Sequence, residues 1–182
     1  MLPLTVNTEV MKILLFYLLF PVLLYTSCNS ANKRGQEEVD TARVSSTGIV
    51  MDNDTLSAVF AAYINLKDHL VNSDVMQSKS AASTLAQSLK DIHGCEQTAD
   101  LSEDLSNMNS LDSQRMIFSA ISTDLIAMYK SDPLNAGKIY VMHCPMFNQK
   151  RGAYWLSTST EIKNPYYGEK MLTCGNIAEE ID

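Results

Sequence analysis

From Asp54 onward, apolar residues recur at three- and four-residue steps. Leu56, Val59, Phe60, Tyr63, Leu66, Leu70 and Val71 form one stripe of a helix, with Asp54 or Thr55 as its cap. Asn72-Ser73-Asp74 breaks that run and starts a second helix through Ala82, Leu85, Ala86 and Leu89, which ends by His93-Gly94. Leu101, Leu105 and Met108 mark a short third helix. Leu111, Phe118, Ile121, Leu125 and Met128 share a face of the fourth, and Ser131-Asp132-Pro133 stops it. Met108, Met116 and Met128 lie in these segments and read as core. Short helices joined by short connections pack most economically as an antiparallel bundle, so the expected fold is mainly α.

The pattern changes after Pro133. Lys138-Ile139-Tyr140-Val141-Met142-His143-Cys144 is rich in β-branched and aromatic residues and predicts one short strand, which Pro145 ends. Gly152-Ala153-Tyr154-Trp155-Leu156-Ser157 and Asn164-Pro165-Tyr166-Tyr167-Gly168 then mix turn formers with aromatics. This predicts a small aromatic cap stapled to the bundle by Trp155 and the tyrosines, whose role is packing before ligand stacking.

Ahead of the helices the chain has a different character. Met11-Lys12 is followed by an apolar run from Ile13 to Tyr25 and then by Thr26-Ser27-Cys28. A basic start, a short hydrophobic stretch and a small residue before cysteine predict a secretory signal with a lipoprotein cleavage site. The run is too short for a good spanning helix. Tyr25 stands where leucine is usual in such a site, and residues 1–10 read as an extension upstream of the better start. The expected organisation is a signal peptide over residues 1–27, a lipidated flexible tether over 28–54 beginning at Cys28, and a helical envelope domain over 55–178. That length suits a single core.

Charge narrows the partners. With 14 Lys and Arg against 21 Asp and Glu the chain carries a formal −7, which is wrong for nucleic acid. The expected membrane contact is through the lipid anchor, which places the protein in the cell envelope.

The soft donors near the carboxyl end carry the candidate chemistry. Cys144-Pro145-Met146 is answered by Met171-Leu172-Thr173-Cys174-Gly175, with His143 beside the first cysteine. Thiolate and thioether sulfur favour Cu(I) and similar soft ions over hard cations. Cys144, Met146, Met171 and Cys174 are the candidate ligands. Extended spacing aligns Cys144 with Met146, and a helical turn aligns Met171 with Cys174. His143 is a weaker fifth, because neighbours on a strand point to opposite faces. The competing reading is a Cys144–Cys174 disulfide, which an oxidising compartment favours and which would stabilise the fold by about 3–4 kcal/mol in the chain-entropy picture. The methionines would then be adaptable filler. With Cys28 acylated, three cysteines remain, and Cys95 is the expected odd thiol.

Several of these segments together resemble a known family. His143-Cys144-Pro145-Met146, Gly152-Ala153-Tyr154-Trp155-Leu156-Ser157, Ile162-Lys163-Asn164-Pro165-Tyr166-Tyr167-Gly168 and Met171-Leu172-Thr173-Cys174-Gly175 are similar to the C-terminal signature of the bacterial envelope domain-of-unknown-function family 3347. Gln114-Arg115-Met116-Ile117-Phe118-Ser119-Ala120-Ile121-Ser122 resembles that family's last long helix, and Tyr63-Ile64-Asn65-Leu66-Lys67 its first. Tyr167 and Phe147 depart from it, where phenylalanine and a small residue are common. Members of that family are stand-alone lipoproteins or domains fused to periplasmic adaptor subunits of heavy-metal efflux pumps. The resemblance implies a metal-handling role and an efflux adaptor or other envelope protein as partner, and it implies no activity.

Enzymatic function is not expected. Adjacent His143 and Cys144 seldom orient as base and nucleophile, and neither an orienting acid nor a phosphate loop is recognisable. Two functions stay open: binding or sensing a soft metal ion such as Cu(I) in support of efflux or homeostasis, and a disulfide-stapled module that docks on an envelope protein through its aromatic cap. The anchor is testable directly. Metabolic labelling with a fatty-acid analogue should mark the protein, and Cys28→Ala should abolish the mark; labelling that persists in the variant discards the assignment.

Overall fold

A computed structural model describes residues 48–182 apart from Pro133, so the expected signal segment, Cys28 and most of the tether lie outside the described residues. Four helices follow one another: α1 (Asp54–Val71), α2 (Val75–Leu89), α3 (Glu96–Asn107) and α4 (Leu111–Ser131). Each packs on the next, as short connections between antiparallel neighbours dictate. The fold is mainly α with a small C-terminal sheet. Among the described residues no helix is long and apolar enough to cross a membrane.

Local chemistry sets the helix ends. Asn53, one residue before the expected caps, accepts from the Thr55 and Leu56 amides. Asp74 caps α2 by accepting from Gln77 N–H at 3.0 Å. Between them α1 closes in a Schellman turn: Ser73 N–H donates to Leu70 C=O and Asp74 N–H to His69 C=O, with Ser73 left-handed at φ 57°. Glycine is usual at that position, and serine serves a second purpose there.

That purpose is to help hold Arg115. Its buried guanidinium donates from Nε to Pro165 C=O (2.9 Å), and from one terminal nitrogen to Leu70 C=O (3.1 Å) and Ser73 Oγ (3.0 Å). Burial pulls its pKa below the usual arginine value, and Asp112 partly counters the shift. One cation thus joins the end of α1, the start of α4 and the cap. Gly168 completes the junction. At φ 57°, a Cβ on it would stand 2.6 Å from Ser73 Oγ and 2.7 Å from Val71 O, so a side chain is excluded there.

The cap contains three strands where one was expected. β1 (Ile139–Cys144) is central, with β2 (Ala153–Ser157) antiparallel on one side and β3 (Asn176–Ile181) antiparallel on the other. The β2 sequence was masked by flanking turn formers. β3 was masked because its first five residues are exposed and carry no buried alternation. The fold also starts earlier and ends later than the expected 55–178: Ile49 is buried, Val50 pairs with Ala136, and Ile181 is buried opposite Ile139.

β2 lies against the helices, and two tyrosine hydroxyls satisfy backbone groups on it. Tyr63 Oη of α1 accepts from Leu156 N–H at 3.0 Å and pairs with Ser122 Oγ of α4 at 2.8 Å. Tyr166 Oη donates to Tyr154 C=O. Residues 154 and 156 share one side of the strand, while β1 occupies the other. Both phenols are deeply buried, and burial pushes both pKa values well above the ordinary tyrosine value.

An aromatic chain runs through the same place. Tyr63 stacks on Phe118 (5.3 Å between centroids), Phe118 meets Tyr166 (5.8 Å), and Tyr166 contacts Phe147 (4.4 Å) and Trp155 (6.0 Å). The expected packing role of the cap aromatics is therefore observed. The helical methionines differ from expectation. Met116 is exposed, and Met108 and Met128 are only half-buried; Gln114, Arg115, Ser122 and Tyr129 occupy the interior of α4 instead. Tyr129 is held there by donating to Leu56 C=O at 2.8 Å.

Removing the Tyr63 hydroxyl leaves the Leu156 amide buried without its acceptor. Tyr63→Phe should lower unfolding free energy in denaturant by about 1–3 kcal/mol. Tyr167→Phe, whose hydroxyl meets Met146 C=O at an exposed edge, should change it by less than about 0.5 kcal/mol.

Candidate functional site

The two sulfur-bearing stretches meet at Asn164, a residue whose sequence context gave no sign of the role. It is fully buried. Its Nδ2 donates to Cys144 Sγ at 3.2 Å and to Cys174 C=O at 2.8 Å, so one amide spans both cysteines. Its Oδ1 accepts from Tyr166 N–H at 2.9 Å. Its backbone is also used: Asn164 N–H donates to Leu172 C=O, and Gly168 N–H to Asn164 C=O. Asn164 has four bonding groups, and every one is engaged.

Cys144 ends β1 with no exposed surface, while Cys174 is half-buried. Both are free thiols. They are neighbours: the Cys174 pKa is raised first by burial, then by the charge of Cys144 and by a side-chain hydrogen bond with it. Gly175 makes this approach feasible, because a Cβ there would stand 2.8 Å from His143 O and 3.0 Å from Trp155 Cη2. The structure therefore brings together the two cysteines singled out from the sequence.

The methionines divide. Met171 closes a 3₁₀ turn over Gly168–Met171, and Cys174 N–H donates back to Met171 C=O at 3.1 Å. Both residues thus belong to one turn, and Met171 is half-buried. Met146 corrects the other expectation. The strand does not continue through Pro145, and Met146 takes helical dihedrals (φ −87°, ψ −21°) with its side chain 40% exposed, while Cys144 points inward. A rim position is what remains for it.

His143 does point away from Cys144. Its ring packs on Tyr154 across the β1–β2 pair, with centroids 4.5 Å apart. Among the described residues no three His, Cys, Asp or Glu side chains gather as a metal cage, so the donors brought together at the cap are the two thiols. That set suits a soft, low-coordinate ion and not a hard cation or structural zinc. It equally suits thiol–disulfide chemistry.

This helical bundle with its cysteine-bearing cap places the chain in a class defined by fold and not by an assigned reaction. Residues 59–136 match the family described as "Protein of unknown function (DUF3347)". The match begins at Val59 in α1 and ends at Ala136, before β1. No curated protein and no solved structure matches the chain.

The neighbouring thiols make a pH prediction. A raised pKa leaves less thiolate on Cys174 at neutral pH than on an ordinary cysteine. Its alkylation rate by iodoacetamide should therefore climb through a midpoint above the usual thiol value of 9.0. Cys144→Ala removes two of the three causes and should move that midpoint down, as followed by mass spectrometry of the Cys174 peptide.

Proposed function

We propose that this protein is a lipid-anchored envelope domain that binds a soft metal ion such as Cu(I), in support of metal efflux or homeostasis. The observation that carries the reading is the pair of free thiols, Cys144 and Cys174, brought together where the Asn164 amide bonds the Cys144 sulfur and the Cys174 carbonyl. A preorganised dithiol needs little rearrangement to act as a two-sulfur donor, and soft monovalent ions accept so few ligands. Bonding to an ion releases the thiol protons, so affinity rises with pH. Met171 shares the turn of Cys174, and in this reading its thioether adds to the pair. Met146 at the rim serves first capture, and His143 belongs to the opposite face of β1.

The same pair supports a second reading. Exchange with an external disulfide would reduce that disulfide and join Cys144 to Cys174, the two thiol protons leaving with the exchange. The cap would then be a stapled docking module for an envelope partner such as a pump adaptor. Cysteine redox state decides between the two.

Cu(I) competition against a chromogenic chelator of moderate affinity distinguishes them. Reduced full-length protein should hold one more equivalent than the Cys144→Ser plus Cys174→Ser variant. Met146→Leu plus Met171→Leu should keep that equivalent with about tenfold lower affinity, some 1.4 kcal/mol. Equal uptake by wild type and the double cysteine variant retires the metal reading and leaves the staple.

A further inference from the structure

The cysteine that the cap leaves over has a sulfur partner of its own. Cys95 immediately precedes α3, in the N-cap position, yet its side chain makes no bond to the helix amides. Its thiol instead donates to Met128 Sδ at 3.8 Å, across 33 residues of sequence. Both side chains are half-buried. They line an open cleft of about 460 Å³ between the start of α3 and the last turns of α4, together with His93, Thr98, Asp124 and Ser131.

We propose that this cleft is a second binding site for a soft monovalent ion, with Cys95 and Met128 as its two donors. Three observations converge on it. Thiol and thioether are already in contact, so an ion entering between them needs a small separation and no rearrangement of the helices. Met128 is half-buried and lines the cleft, so it borders solvent-accessible space. The charge around it is also of the right sign. Asp124 is fixed by a 2.9 Å hydrogen bond from Thr98 Oγ1, and after burial the carboxylates of Glu96 and Asp124 are what push the Cys95 thiol up. The field that disfavours a bare thiolate favours a cation at the sulfur.

The donor set fixes the ligand class. Among the described residues no His, Cys, Asp and Glu cage forms here, so zinc and calcium lack the ligands they require. Two soft sulfurs select a low-coordinate soft ion. On binding, the Cys95 proton leaves to solvent and the ion takes its place, so the sulfur stays neutral overall. His93 stands at the rim with its side chain in solvent, 3.7 Å from Glu96, and is not counted among the donors. Nothing in this site uses Cys144 or Cys174, so its fate is separate from that of the cap.

Silver(I) is the probe, because it is soft and redox-inert under these conditions. Reduced full-length protein carrying ¹³C-methyl methionine is titrated and followed by NMR, the Met128 resonance being identified from its loss in Met128→Leu. The Met128 methyl signal should shift and saturate at a defined stoichiometry, and the shift should vanish in Cys95→Ala. Met128→Leu should weaken silver protection of Cys95 against alkylation at least tenfold. A Met128 signal that never moves overturns the site, whatever happens at the cap. So does a shift that survives in Cys95→Ala, or Cys95 protection unaltered by Met128→Leu.

Discussion

A small sheet can rest on a helical bundle only if the strand facing the helices loses none of its backbone hydrogen bonds. Helix backbones cannot supply partners, since their own groups are used internally. Here side chains do it. Tyr63 accepts the amide of Leu156, Tyr166 donates to the carbonyl of Tyr154, and both rings are simultaneously links in the aromatic chain from α1 to the cap. Tyrosine suits this task because one end is apolar and the other can both donate and accept. The sheet, and with it the position of Cys144 at the end of β1, is fixed by these hydroxyls.

Two further polar residues extend that arrangement toward the sulfur pair. Arg115 reaches from α4 to the carbonyl of Pro165, and Asn164, the preceding residue, reaches both cysteine segments. The dipeptide Asn164-Pro165 therefore receives the bundle on one side and organises the thiols on the other. A buried guanidinium bonded to neutral acceptors is destabilising unless its donors are met, and three of its bonds are formed here. Removing either residue would release the loop and, with it, the geometry of the thiols.

The helices were readable because their apolar steps are regular over long stretches, as in the run from Leu56 to Val71. Within α4 the same rule misplaced residues: Met116 fits the composition of a core and faces solvent, while Arg115 and Gln114 are buried. Periodicity reports which faces are apolar, not which polar side chains find partners inside. β2 and β3 escaped for a different reason. Their stability comes from pairing with β1, and β3 alone carries almost no hydrophobic signal. At the site, the cysteines stood out by their matching motifs. Asn164 did not, because an asparagine before proline looks like ordinary turn chemistry, and only the fold shows where its amide points. Cys95 was legible as the odd thiol, whereas its contact with Met128 depends on how α3 meets α4.

One short segment links these parts in an unusual way. After Met146 the chain makes a turn in which Asn148, Gln149 and Lys150 all have positive φ, at 52°, 58° and 66°. For non-glycine residues each such conformation costs about 1–2 kcal/mol. The turn is held by Gly152 N–H to Phe147 C=O, and by Arg151, which bonds the carbonyl and side-chain oxygen of Asn148. Its reversed handedness sends Phe147 inward against Tyr166. A wrong-handed coil of three residues therefore acts as a spring clip: were it to uncoil, the ring would swing out and the phenol that holds β2 would stand with one face bare.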